Sequence, residues 1–319
     1  MRVLVTGGAG FIGSSIVEAL LKDERVEGVR VLDNLSTGFH RNIEPFFADP
    51  RFEFMEGDIR DMDTCQRACE QIDRITHQAA LGSVPRSIND PVTSNNVNIT
   101  GTLHVFTAAR DAGIKRVVYA ASSSTYGDHP GLPKIEDQTG NPLSPYAVTK
   151  LVNELYARVY GNLFGMEFIG LRYFNIFGPR QNPKGPYAAV IPLFAEALLQ
   201  KVPPTINGNG THSRDFTYVS NAVQANILSL FTSNPEAINQ VYNIACGEQT
   251  SLLELFNGLN SEAGTDLQPV FGPERLGDVK HSLADISKAR KLLGYEPDIA
   301  VAEGLSRTFA WYRAQLISQ

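Results

Sequence analysis

The sequence predicts an α/β protein, a doubly wound parallel sheet followed by a smaller α+β lobe at the C-terminal end. Three observations predict it. Short runs rich in Val, Leu and Ile alternate with segments whose apolar residues recur at helical spacing, the pattern of strands joined by crossover helices. The first such run ends in a glycine cluster that opens directly into a helix. The regular alternation then stops near residue 178, beyond which prolines and glycines crowd the chain as far as Gly210.

Taken in order, "RVLVT" (residues 2–6) is a strand, and "SSIVEALLKD" is a helix by its periodicity. "VRVLDN" is the next strand, and "EGDIRD" follows a third strand candidate. Residues 62–71 form a helix, "RITHQAA" a strand, residues 98–112 a helix and "KRVVYAASSS" another strand. A long helix follows Pro145, and "EFIGLRYFNIFG" supplies one more strand. The remainder, with the short strand "QVYNIA" and helices over 252–259 and 286–293, suits a lobe packed over the carboxyl edge of the sheet. The expected division is 1–177 for the sheet domain and 178–319 for the substrate-binding lobe, with a soft boundary because a later segment can return to the first lobe.

The totals narrow the function. At 319 residues the chain is long enough for two lobes and a cleft between them. A charged fraction of 19% and the lack of any apolar run of about 18 residues fit a globular protein with no membrane span. The N-terminus lacks the length and cleavage site of a signal peptide, so a cytoplasmic location is expected. A net charge of -6 argues against a nucleic-acid surface. Cys65, Cys69 and Cys246 are too few for a disulfide framework and are expected as buried thiols, the first two on one helix face. The six histidines show no metal-ligand spacing with them, so no metal is expected, and His77 is read as a packed, hydrogen-bonding residue.

The glycine run "GGAGFIG" lies between a strand and a helix, where missing side chains let the backbone approach a pyrophosphate at the helix N-terminus. Gly7, Gly10, Phe11, Ile12 and Gly13 are the candidates for that contact. Asp33, twenty residues beyond Gly13, is placed to accept hydrogen bonds from a ribose diol and would repel a 2'-phosphate, which favours NAD over NADP. Asp58 and Ile59 fall near an adenine ring. These are the marks of a Rossmann-type sheet.

In "LSPYAVTKLVNELYARVYG", Ser144 caps a helix, Pro145 suits its first turn, and Tyr146 and Lys150 fall one turn apart on one face. A phenol ordinarily titrates at about 10, and an ammonium with a nicotinamide cation nearby favours the phenolate. Tyr146 is thus a candidate base, with a serine of "SSST" (122–125) holding a substrate oxygen beside it. By itself such a pair is usually a half-buried aromatic beside a solvated amine; the glycine loop and the serine-rich strand end are what favour the acid–base reading.

The segments "TGGAGFIG", Asp33-Asn34, "HQAA", "SSSTYGD", "SPYAVTK" and "LRYFNIFGPRQ", in this order, resemble the extended short-chain dehydrogenase/reductase family over nearly the whole chain. Within it, "AALGSVPRSINDP", "ASSSTYGDHPGLPK", "YAAVIP" and "GDVKHSLADISK" most resemble bacterial UDP-N-acetylglucosamine 4-epimerases, one group of UDP-hexose 4-epimerases. The resemblance implies a bound NAD and a UDP-sugar substrate, with Tyr146 as base, Ser122 as its hydrogen-bonding partner and Lys150 as the group that lowers the phenol and holds the nicotinamide ribose. It extends the cofactor site to Asn34, Ser36, Thr37, Gly38, Gln78, Ala79, Ala80, Asn98 and Tyr173. For the substrate it implies Gly82, Ser83, Ser123, Ser124, Asn175, Ala189, Val190, Thr205, Asn207 and Ser282, with Arg214, Arg275 and Asp278 on the diphosphate and uridine ribose. Ser282 stands where a bulky tyrosine would restrict the family to plain glucose and galactose, so room for an N-acetyl group is expected. A homodimer is implied, paired through apolar faces of the helices at 98–112 and 145–164, although the sequence by itself fits those faces packing into the core equally well. A 4,6-dehydratase would carry an Asp-Glu pair at Ser123 and Ser124, and a non-catalytic NAD sensor would not need Tyr146 and Lys150 together.

Overall fold

The computed structural model describes residues 1–184, 188–273 and 280–317. Six strands follow in the order expected: β1 (Arg2–Thr6), β2 (Gly28–Asp33), β3 (Phe52–Glu56), β4 (Arg74–His77), β5 (Arg116–Ser122) and β6 (Glu167–Tyr173). With Gln240–Ile244 they form one seven-stranded sheet in the order Gln240–Ile244, β6, β5, β4, β1, β2, β3. Every pairing in it is parallel. The order reverses between β1 and β4, so the crossovers depart to opposite faces there and leave a crevice at the strands' carboxyl ends.

Both faces are covered, as the alternation within β1 requires. Val3 and Val5 point to a core shared with Ile16, Val17 and Leu20 of helix Phe11–Lys22 and with Ala222 and Ala225 of helix Val219–Phe231. Leu4 points to the other core, among Cys65, Ala68 and Cys69 of Met62–Cys69, Val105 and Phe106 of Thr102–Asp111, and Ala157 of Pro145–Phe164. Both cysteines of the first pair are buried on one helix face, as their spacing implied. A third core, built around Phe194, Phe216, Leu255, Phe256 and Phe309, holds the C-terminal lobe of helices Val190–Leu199, Leu252–Ala263 and Val301–Ile317.

Two local readings differ from the structure. "QVYNIA", expected in the small lobe, pairs with β6 instead, running from Gln240 opposite Ile169 to Ile244 opposite Tyr173. Its return saturates a ladder that would otherwise end at an exposed edge, and buries Tyr242 and Ile244 in the sheet core. The helix expected over 98–112 starts with a π-helical turn, Asn96–Gly101, that continues from the short helix Pro91–Asn95. Such turns have no period a sequence would display. None of the described helices is long and apolar enough to cross a membrane.

Candidate functional site

The crevice at the switch point is a cleft of about 610 Å³, and its floor is the glycine loop. Gly7 sits at φ 70°, and a Cβ there would lie 2.6 Å from the Ala79 amide nitrogen. A Cβ on Gly13 would run into the Gly7 carbonyl oxygen. Both positions must therefore be glycine for the turn to close against the end of β4. The helix that follows has no side-chain cap at Gly10, so its first amides, with no intrahelical partner, face the cleft beside Phe11 and Ile12.

Asp33 ends β2 with one carboxylate oxygen on the Ala9 amide (2.9 Å) and the other on that of Leu35 (2.8 Å), which leaves lone pairs for a diol. Burial pushes its pKa up, against those two amides. Asn34 donates to Asp58 (2.8 Å), which the Arg60 guanidinium holds down at about 2. Asp58, Ile59, Ser36 and Thr37 line the same end. Gly38 does not line it: the loop there packs on Ala9, whose carbonyl carbon would lie 2.9 Å from a Cβ.

Along the middle lie Gln78, Ala79, Ala80 and Tyr173. Gln78 accepts from the Tyr173 hydroxyl (3.0 Å) and donates to Thr76 (2.9 Å) and Asn226 (3.1 Å), and Asn226 donates to Tyr173 (2.7 Å). Asn226, fully buried on the Val219–Phe231 helix, was not foreseen, because nothing local marks an asparagine from a later helix as the support of two earlier residues. Asn98 lines neither cavity. It is buried beneath the cleft, clasping Leu81 through that residue's amide (2.8 Å) and carbonyl (3.1 Å) and donating to Thr149 (3.2 Å). His77, also beneath it, bridges Thr6 (2.6 Å) and Thr102 (2.9 Å), the packed role its position suggested.

The far end holds the acid–base trio. Ser144 caps the Pro145–Phe164 helix by accepting from the Ala147 amide (3.1 Å), and the Tyr146 amide donates to Ser87 (3.0 Å). Tyr146 and Lys150 thereby face the cleft together. Lys150 is 4% exposed and donates to the Ala120 carbonyl (2.8 Å). Burial lowers its pKa to about 8, with Glu154, one turn on, acting the other way. The Ser122 oxygen accepts from both the hydroxyl (2.9 Å) and the amide (3.2 Å) of Ser124, so its own proton is directed to the Tyr146 phenol. Ser124 itself does not line the cleft, whereas Ser123 does. Among the chain's own groups burial wins at Tyr146: it pushes the phenol up, and the Ser122 hydrogen bond only opposes it.

Gly82, Ser83 and Asn175 line the mouth beside this trio. Ser83 holds φ 93°, a conformation that costs a residue with a side chain about 1–3 kcal/mol and is fixed here by its capping of helix Val84–Asn89. A second cavity of about 540 Å³ adjoins, sharing Asn175, Ile176 and Gln181 with the first. Ala189, Val190, Thr205, Asn207 and Arg214 line it. Ser282 lines neither cavity, and its hydroxyl accepts a long hydrogen bond from the Asp215 amide (3.4 Å). Arg275 and Asp278 lie outside the described residues. Ala120, Ala121 and Gln181 line the cleft without having been foreseen; for the two alanines, their place at a strand's carboxyl end was the available signal. Among the described residues no three His, Cys, Asp or Glu side chains converge as a metal site would.

Residues 3–245 match the NAD dependent epimerase/dehydratase family. The UDP-glucose 4-epimerase of Mycolicibacterium smegmatis is 39% identical over 315 residues, 98% of this chain and 99% of that one. The structure of a Methanobrevibacter ruminantium UDP-N-acetylglucosamine 4-epimerase, in complex with UDP-N-acetylmuramic acid, superposes with a TM-score of 0.93 at 39% identity and 98% coverage of each chain. That of the Thermus thermophilus UDP-glucose 4-epimerase in complex with NAD gives 0.88 at 36% identity, covering 98% of this chain and 99% of that one.

Proposed function

This chain belongs to the NAD dependent epimerase/dehydratase family, and we propose that it interconverts the C4 epimers of UDP-sugars, UDP-GlcNAc with UDP-GalNAc first and UDP-Glc with UDP-Gal as well. The observation that carries the reading is the Ser122, Tyr146 and Lys150 cluster in a dinucleotide-sized cleft that adjoins, across Asn175, Ile176 and Gln181, a second, sugar-nucleotide-sized cavity.

The residues present fit NAD. The loop of Gly7 and Gly13 leaves a cradle that any Cβ would fill, the helix N-terminus beyond it favours a pyrophosphate, and Asp33 keeps acceptors for a ribose diol. NAD held there supplies reversible hydride exchange with C4, which makes and unmakes a 4-keto sugar. Tyr146 takes the C4 hydroxyl proton and later returns it to the other epimer's oxygen. Ser122, hydrogen-bonded to the phenol, steadies the phenolate, and the resemblance assigns Lys150, its ammonium 6.0 Å from the centre of the Tyr146 ring, the positive field that favours it. The second cavity anchors the uridine diphosphate through Arg214, with Arg275 and Asp278 assigned there by the resemblance, so that the ring can turn over between the two proton transfers. Ser123 and Ser124 stand where a dehydratase would need an acid–base pair, which disfavours loss of water.

The test is to incubate the NAD-supplemented protein with UDP-GlcNAc and, separately, UDP-Glc, and to follow the anomeric NMR signals. UDP-GalNAc should accumulate to equilibrium, and Tyr146→Phe should slow it by about 10²–10⁴-fold. Although Ser282 lines neither cavity, the resemblance places it beside the sugar's C2 substituent, so Ser282→Tyr should lose turnover of the acetamido sugar and keep that of the plain hexose. Binding without conversion would favour a sensor, and loss of water a dehydratase.

A further inference from the structure

Asp215 lines neither cavity, yet it is fully buried and its carboxylate accepts three hydrogen bonds. One carboxylate oxygen accepts from the Cys246 amide (3.0 Å), and the other from the amides of Gly247 (3.1 Å) and Ala284 (3.1 Å). Its own carbonyl accepts from the Asn175 side chain (2.9 Å), and its own amide donates to Ser282. We propose that Asp215 is a positioning residue that fixes the nucleotide half of the cleft: its carboxylate fastens two separate stretches of chain to its own segment, whose backbone carbonyl in turn holds a third through Asn175.

The stretches are the turn after β6, the loop after strand Gln240–Ile244, and residues 280–285. The assembly borders the proposed UDP-sugar site through Asn175 and through Arg214 of Asp215's own segment. Asn175, held at φ 39°, lies between the two cavities; Arg214 precedes Asp215; and Ser282 lies two residues before Ala284. Arg214 adds a further tie by donating to the Lys280 carbonyl (3.0 Å). The inference therefore rests on the UDP-sugar reading.

A carboxylate is the side chain this geometry requires. Three N–H donors converge on two oxygens, and only an ionised carboxyl accepts at both without presenting a donor of its own. Among the described residues its partners are backbone amides rather than a cation. Complete burial pushes its pKa up to about 7 in spite of them. A buried charge without a counter-ion is costly for packing alone, whereas it is well suited to holding three otherwise unsatisfied amides in one place.

Asp215→Asn keeps the shape but turns an NH₂ toward at least one of those amides, and Asp215→Ala removes every acceptor. In the NAD-loaded protein, UDP affinity by calorimetry should fall at least about tenfold for the asparagine variant and further for alanine. NAD content should be unchanged, and kcat at saturating UDP-GlcNAc should stay within about threefold, because Ser122, Tyr146 and Lys150 stand on the other lobe. Amide exchange at 246–247 and 280–285 should accelerate at least about tenfold. UDP affinity within twofold of wild type with unchanged exchange overturns the proposal, as does a fall in kcat with UDP affinity intact. Wild-type protein that binds no UDP overturns the substrate reading instead, and the exchange comparison still decides the fastening.

Discussion

His77 shows how far enclosure sets a single residue's chemistry. Fully buried between Thr6 and Thr102, its imidazole is pushed down to about 3 by burial, with the Lys150 charge adding to the effect. Since the folded value lies below that of the unfolded chain, the contribution to stability is intact above pH about 6.5 and is lost as the pH falls toward 3. Over that window the unfolded chain gains a proton the folded chain refuses, at about 1.4 kcal/mol per pH unit. Asp215, pushed up to about 7, takes up a proton in the folded chain over the same window and opposes this slope, so the test is the difference: urea unfolding at pH 7, 6 and 5 should show wild type losing stability relative to His77→Gln as the pH falls, and a constant difference would place the proton uptake elsewhere. The sequence alone marked His77 as packed, because no metal-ligand spacing competed for it. It could not show how far the ring is pushed down, which depends first on complete enclosure by the fold and then on a lysine 73 positions later in the chain.

At the scale of elements, the acid–base helix was legible from its first residues. Ser144, Pro145, Tyr146 and Lys150 fix its cap, its entry and its reactive face within seven positions, all through local backbone chemistry. Ser144→Ala should therefore cost about 1 kcal/mol in denaturant unfolding while Ser144→Asp restores most of it; no difference between the two would mean the cap is not what starts the helix. The strand–glycine–helix unit was legible for the same reason. Strand Gln240–Ile244 was not assignable, because its five residues are equally good in either lobe, and only the free edge of β6 recruits them. The π-helical turn at Asn96–Gly101 was equally hidden, since it follows from seating Asn98 beneath Leu81 rather than from any periodicity.

At the scale of the whole molecule, an apolar helix face among the described residues stays uncovered. Val148, Leu155, Val159 and Leu163 recur at helical spacing along Pro145–Phe164 and are 45–70% exposed, with Ile88 and Val92 beside them at 59% and 68%. The resemblance implied a homodimer through this helix and that at 98–112; the second contributes no large exposed apolar side chain, whereas Val84, Ile88 and Val92 of the 84–95 stretch are exposed. Sedimentation should give a dimer at micromolar concentration, and Val159→Glu with Leu163→Glu a folded monomer; a variant that remains dimeric would move the interface elsewhere. The chain's own residues determined the sheet, its glycine-lined end and the tyrosine–lysine pair, since each rests on hydrogen bonds and steric limits that span a few positions. Tertiary structure alone decided that Asn226 supports Gln78 and Tyr173, that Ser124 aims the Ser122 proton, and that Asp215 gathers three distant stretches. Those contacts join residues brought together by the crossovers or by the turn at a strand's end, and side-chain hydrogen bonds leave no period in a sequence.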